Sequence, residues 1–194
     1  MLSPLLAESY PVAFPYDPAQ AEQLLEQAGF PRGPDGVRIR LRYKTTSARD
    51  NLEAVLAFQA MLKKIGIEIE IEVVELSVFL ASVRKGAYQL YSSRWTGITD
   101  GSILHRTLHS GSRDNRAGYR SAGMDALLDR AMTEPDLEKR KAILKDAQSL
   151  MANDLPYFPL WYWTGALVLR KGVQGMKAGD ISLSGSLEPL THLR

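Results

Sequence analysis

The segment Ser93 to Gly101, SRWTGITDG, places a guanidinium, an indole and a carboxylate within seven residues, Arg94 to Asp100. Those groups suit holding a solute. An indole offers a flat apolar wall, while Arg94 and Asp100 can fix the charged ends of a ligand. Thr96 and Gly97, in the glycine-containing loop between them, complete this first set of ligand-binding candidates. The residues leave a second reading open, with Trp95 in the core and the two charges paired to each other. A further polar loop, NRAGY, brings Asn115, Arg116 and Tyr119. It is a candidate second ligand segment, although its residue types alone favour a structural turn.

Other chemistries find less support. His105 and His109 are four apart, the helical spacing of two metal ligands. No HExxH pattern surrounds them and no third ligand stands out in the sequence, so exposed or structural histidines are expected and no metal is assigned. Asp125 and Asp129 share that spacing and read as a solvated helix face. A hydrolase using His105 or His109 with Asp100 rests only on this local clustering of titratable groups. Phosphate-binding glycine loops and the GxSxG elbow are missing, so no cofactor and no catalytic residue is assigned. The chain has no cysteine, which excludes disulfides and thiolate sites. A net charge of +2, from 24 basic and 22 acidic residues, is too balanced for a nucleic-acid face. No stretch approaches the ~18 uninterrupted apolar residues of a membrane span. The N-terminus lacks the charged and apolar regions of a secretory signal, which leaves a cytoplasmic protein or one whose upstream part is absent.

The elements around the Trp95 loop follow from periodicity. Residues 1–16 are irregular, broken by Pro4, Pro11 and Pro15. Asp17 and Pro18 open a helix with Gln20 completing a capping box; Ala21, Leu24, Leu25 and Ala28 form its expected buried stripe, and Gly29 ends it. Residues 37–43, VRIRLRY, alternate strictly, with Arg38, Arg40 and Arg42 on one face. Ser47 with Asp50 opens a second helix, whose stripe is Leu52, Val55, Leu56, Gln59, Leu62 and Ile65; Gly66 stops it. Residues 67–74, IEIEIEVV, alternate again with Glu68, Glu70 and Glu72 outward. A helix at 76–85 and a less regular strand at 88–95 follow. This order predicts βαβ crossovers and a mainly parallel sheet. Three arginines on one strand and three glutamates on the next predict paired charges on a sheet face left open to solvent. Residues 96–118 read as loop, with helices at 122–132 and 135–153 ended by Pro156. The aromatic run 155–170 reads as one or two buried strands, and the tail has no clear element.

Five segments in order resemble the family 5 bacterial extracellular solute-binding proteins, which serve dipeptide, oligopeptide and nickel ABC importers. They are YDPAQAEQLLEQAGFPRG (16–33), LKKIGIEIEI (62–71), SRWTGITDGS (93–102), LHSG with NRAGYRSAGMDALLDRA (108–111, 115–131), and EKRKAILKDAQSLMANDLPYFPLWY (138–162). The resemblance implies an α/β, periplasmic-binding-protein-like lobe with one sheet face partly uncovered. Members are longer and two-lobed and close around ligand by a hinge. It therefore implies a lead-in at 1–16, a C-terminal ligand-binding lobe at 17–172, and a tail at 173–194 returning toward a first lobe outside this sequence. The implied partners are a peptide or other small solute, that first lobe, and an ABC permease, with neither nucleic-acid contact nor membrane insertion, in the periplasm or another extracytoplasmic space. In peptide-binding members an aspartate three residues after the tryptophan meets the peptide amine. Here that position is Ile98 and the nearest acid is Asp100, so a blocked peptide, an oligosaccharide or a metal chelate is also open. A transcriptional regulator that senses ligand with the same fold, in the cytoplasm, is the alternative.

Overall fold

The computed structural model describes residues 2–4, 6–11, 13–95 and 98–162, and the backbone of two short strands at 173–174 and 191–192. The chain forms two compact units. A sheet unit comprises residues 12–93 and 110–120; a helical unit comprises 1–11, 94–109 and 121–194.

In the sheet unit, α1 (Pro18–Gln27) starts as its sequence requires: the Asp17 side chain accepts from the Gln20 N–H at 2.9 Å, with Pro18 in the first turn. Its expected buried stripe does not form. No α1 residue is buried, and Leu24 is 56% exposed. Charge fixes the helix instead. Glu22 pairs with Arg32 and Glu26 with Arg38, both at 2.5 Å. Arg38 was expected on the open face of the first strand. Its side chain is only 2% exposed and donates to the Phe30 and Ile65 carbonyls at 2.8 and 3.1 Å. The strand begins one residue later, so Arg38 lies outside the alternation.

Strands β1 (Ile39–Thr46), β2 (Ile67–Val74) and β3 (Leu90–Tyr91) form a parallel sheet in the order β2-β1-β3. The expected charge pairing is present but shifted along β1. The register sets Arg40 against Glu68, Arg42 against Glu70 and Lys44 against Glu72. Arg40 meets Glu68 at 2.6 Å and Lys44 meets Glu72 at 3.0 Å. Arg40 and Glu68 remain more than half exposed, so this face is open to solvent as expected. On the other face Tyr43, Val55 and Ile69 are buried, with Leu41, Phe58, Leu62, Ile67, Ile71 and Leu90 against them. α2 (Arg49–Lys64) supplies Val55, Phe58 and Leu62, and its Gln59 amide donates to the Ile69 carbonyl at 2.7 Å. Its N-cap is Ala48 rather than Ser47, and Leu56 is 53% exposed rather than part of the stripe. The neighbouring Asn51 amide donates to the Thr46 hydroxyl at 2.9 Å, tying the first turn back to β1. α3 (Leu76–Arg84) buries Phe79, whose ring meets Tyr91 edge-on at 6.0 Å. The third strand is far shorter than 88–95. Tyr88 is engaged elsewhere, its ring edge-on to Tyr91 and its hydroxyl donating to the Arg116 carbonyl.

The helical unit contains α4 (Ile103–Leu108), α5 (Ala122–Thr133) and α6 (Leu137–Asp154). Its core holds Leu104, Leu108, Met124, Leu128, Ala131, Ile143, Leu144, Ala147 and Met151. α4 lies where loop was expected; Leu104, Thr107 and Leu108, at helical spacing, are buried. Ser121 and Asp136 cap α5 and α6 by accepting from the Met124 and Lys139 N–H groups at 3.3 and 3.0 Å. α6 ends on Leu155 in the left-handed region (φ 47°), just before Pro156. The lead-in is irregular as expected, yet Leu2 is buried and Gln148 of α6 binds it.

Within the aromatic run, the described residues 155–162 are not a buried strand. Residues 155–162 have no strand, and Phe158, Trp161 and Tyr162 are each about half exposed or more. Pro156 and Pro159 deny the segment two ladder donors, which outweighs its apolar composition. Residues 163–170 lie outside the described residues. The tail contains one antiparallel pair, β4 (Val173–Gln174) with β5 (Thr191–His192), where no element was expected. Among the described residues no helix is long and apolar enough to cross a membrane.

Candidate functional site

Trp95 follows β3 by four residues in sequence and belongs to the helical unit. It is half-buried, not core, and the Arg106 guanidinium lies 5.2 Å from its ring centroid. A cation at that distance over an indole is held by the ring quadrupole. Arg94 beside it is exposed. The Asp100 carboxylate accepts from the Ser102 N–H at 2.7 Å and stands 3.6 Å from Arg140 of α6 rather than pairing with Arg94. The contact with Ser102, followed by the charge of Arg140, holds the Asp100 carboxyl below the usual carboxylate range. Gly101 comes next and is buried; a Cβ there would lie 2.5 Å from a Leu144 methyl, so any side chain would have to displace that methyl. Thr96 and Gly97 lie outside the described residues.

Asn115, Arg116 and Tyr119 belong to the sheet unit. The Asn115 side chain closes its own loop, donating to the Tyr119 carbonyl at 2.7 Å and accepting from the Tyr119 N–H at 3.1 Å. That is the structural turn its residue types favoured. The Arg116 carbonyl takes the Tyr88 hydroxyl, and the Arg116 and Tyr119 side chains are half-buried. A hollow of about 480 Å3 lies on the open sheet face, lined by Arg40, Arg42, Glu68, Glu70 and Gln89 among others; none of the six described candidates lines it.

One cluster was missed. His105 and His109, one turn apart, stack with ring centroids 4.5 Å apart and planes at 18°. The Nε2 atoms of both reach the same Oδ1 of Asp129, at 3.3 and 3.4 Å. The sequence shows the histidine spacing and places Asp129 on an exposed face, correctly, since it is 64% exposed. It cannot show that α5 packs beside α4. Asp100, the acid the sequence offered to these histidines, is held by Ser102 and Arg140 instead.

The open three-stranded parallel sheet with its helices is the architecture of a periplasmic-binding-protein lobe. The murein tripeptide-binding protein MppA of Escherichia coli overlays on 79% of the chain with a TM-score of 0.70 at 22% identity. The family description of bacterial extracellular solute-binding proteins, family 5, middle part, matches residues 2–115, more than half of the chain, and the chain belongs to that family. It is 27% identical over 160 residues to the oligopeptide-binding protein OppA of Bacillus subtilis, covering 80% of this chain and 29% of that protein. The periplasmic binding protein DppA of Helicobacter pylori, solved with the peptide STSA, overlays with a TM-score of 0.72 at 30% identity, over 81% of this chain and 31% of that one. The chain thus spans under a third of the length of the relatives it matches. Members of this family are solute-binding proteins, in general without enzymatic activity.

Proposed function

We propose that the chain is the C-terminal ligand-lobe portion of an extracytoplasmic binding protein that delivers a peptide or similar small solute to an ABC importer. The observation that carries this reading is the family match over residues 2–115, whose span includes the Trp95 loop. The half-buried indole with Arg106 over its ring and exposed Arg94 beside it suits a ligand wall better than a core position. Ile98 at the third position after Trp95 favours a solute not gripped by its free amine. Binding arises between two lobes, so this chain alone holds ligand weakly. The first lobe and a permease are its partners, and the compartment is periplasmic or extracytoplasmic.

The test is titration of the complete gene product with free and N-acetylated di- to pentapeptides, read by tryptophan fluorescence. A saturable change that Trp95→Phe alters supports the assignment. Trp95→Ala is expected to raise Kd by about tenfold or more, equivalent to ~1.4 kcal/mol. An unchanged Kd in Trp95→Ala removes the loop from the site, and silence toward peptides, sugars and metal chelates alike removes the transport reading.

A further inference from the structure

We propose that His105, His109 and Asp129 form a binding site for a borderline divalent transition-metal ion of the Zn2+, Ni2+ or Co2+ type. The donors are two imidazole Nε2 atoms and one carboxylate oxygen, all within 4.8 Å of one another. Imidazole with a single carboxylate selects this class of ion over the all-oxygen sites of Mg2+ and Ca2+.

The distances fit a metal site as well as a weakly hydrogen-bonded cluster. Good N–H···O bonds centre on about 2.9–3.0 Å. Both contacts to Asp129 Oδ1 are longer, at 3.3 and 3.4 Å. Ligands about 2.05 Å from a tetrahedral Zn2+ stand roughly 3.3–3.4 Å apart along each edge of the tetrahedron. The carboxylate oxygen thus stands off from both rings at the edge length a bound ion would impose.

The scaffold holds these groups without help from the ion. The His109 N–H donates to the His105 carbonyl at 3.1 Å, which fixes the two rings one turn apart. Leu104, Thr107 and Leu108 bury the other side of α4, and Leu128, next to Asp129, is fully buried in α5. The histidine side chains are 33% and 22% exposed and Asp129 is 64% exposed, so an ion can enter from solvent and keep water at its fourth position. Because the ligands come from α4, its C-cap His109 and α5, the ion would staple two helices of one unit.

The experiment uses the whole 194-residue chain, without a polyhistidine tag and stripped with chelator. Co2+ is titrated by visible absorbance and then displaced with Zn2+. One ion per chain is expected, with a tetrahedral Co2+ spectrum and an upward shift in Tm that excess chelator reverses. Asp129→Asn and the double variant His105→Gln, His109→Gln should each weaken binding by about 100-fold or more, since loss of even an outer-shell partner costs about 10–100-fold. Circular dichroism shows whether each variant is folded. The unmodified chain gives a second readout that needs no variant: the imidazole resonances of His105 and His109 must shift together on adding Zn2+. No saturable binding, equal binding in the double variant, or Zn2+ shifts at only one of the two histidines would overturn the site. None of these readouts depends on solute binding, so failure here leaves the transport proposal standing, and the reverse also holds.

Discussion

Replacing Gln148 by leucine tests how the lead-in is held to α6. Gln148 is fully buried, and all of its hydrogen-bonding capacity shown is directed at backbone. Its Oε1 accepts from the Leu2 and Tyr10 N–H groups, both at 3.2 Å, and its Nε2 donates to the Glu8 and Leu144 carbonyls at 2.9 and 3.0 Å. Leucine has similar volume, so packing changes little. The Leu144 carbonyl loses only an extra partner. The Leu2 N–H, the Tyr10 N–H and the Glu8 carbonyl lose theirs, at about 1–3 kcal/mol for each group left buried and unsatisfied. The lead-in can escape by detaching, which exposes Leu2 at about 1.5–3 kcal/mol. The cheaper route sets the ceiling, so the expected loss is about 1.5–3 kcal/mol. Urea denaturation of the whole chain measures it, and hydrogen exchange identifies the route: the Leu2 and Tyr10 amides should lose protection before the α6 amides do. A loss under about 0.5 kcal/mol with both amides still protected would refute the reasoning, because it would mean that this buried network holds nothing in place.

Arg38→Met should destabilise the sheet unit by about 2–4 kcal/mol, because it strands the Phe30 and Ile65 carbonyls and frees α1. Arg40→Met, on the open face, should leave the urea midpoint nearly unchanged, since Arg40 is 64% exposed. Gly66 sits at φ +84°, where a Cβ would meet the Arg38 side chain at 2.8 Å, so Gly66→Ala should lower Tm by the equivalent of about 1–3 kcal/mol. Asp100 has its folded pKa depressed, so near and below that range the unfolded chain binds more protons and acid destabilises the fold. Its contribution is present above the unfolded pKa and is lost as pH falls through the folded one. Asp100→Asn should therefore flatten the fall in urea midpoint below about pH 4; a fall as steep as in the parent chain would show that Asp100 takes no part in it.

The parallel sheet was legible because its alternation is strict and its charges are segregated by strand, two signals that agree. What was misread turned on single residues. A start two residues later than the alternation suggested moved Arg38 from the open face to the anchor of α1, and only the fold shows where a strand begins. α4 was hidden by the glycines flanking it, although Leu104 and Leu108 carry its period. Residues 155–162 have the composition of a core strand, but two prolines decide against it. For the candidate site, the sequence proposed the loop after β3 as a ligand segment and favoured a turn at Asn115, and the fold shows that turn. It could not bring Asp129 to the two histidines, because that contact depends on how α5 lies against α4.

The eight-residue β2 lies at the edge of its three-stranded sheet. Left unpaired, a strand of that length, rich in isoleucine, would ordinarily template its own stacking into fibrils. Each second copy that tried to add to it in register would bring Glu68, Glu70 and Glu72 against the same three carboxylates, and like charges directly opposite repel. The glutamates that neutralise β1 within one molecule thus also keep separate molecules from polymerising at neutral pH, a protection that acid or high salt should weaken.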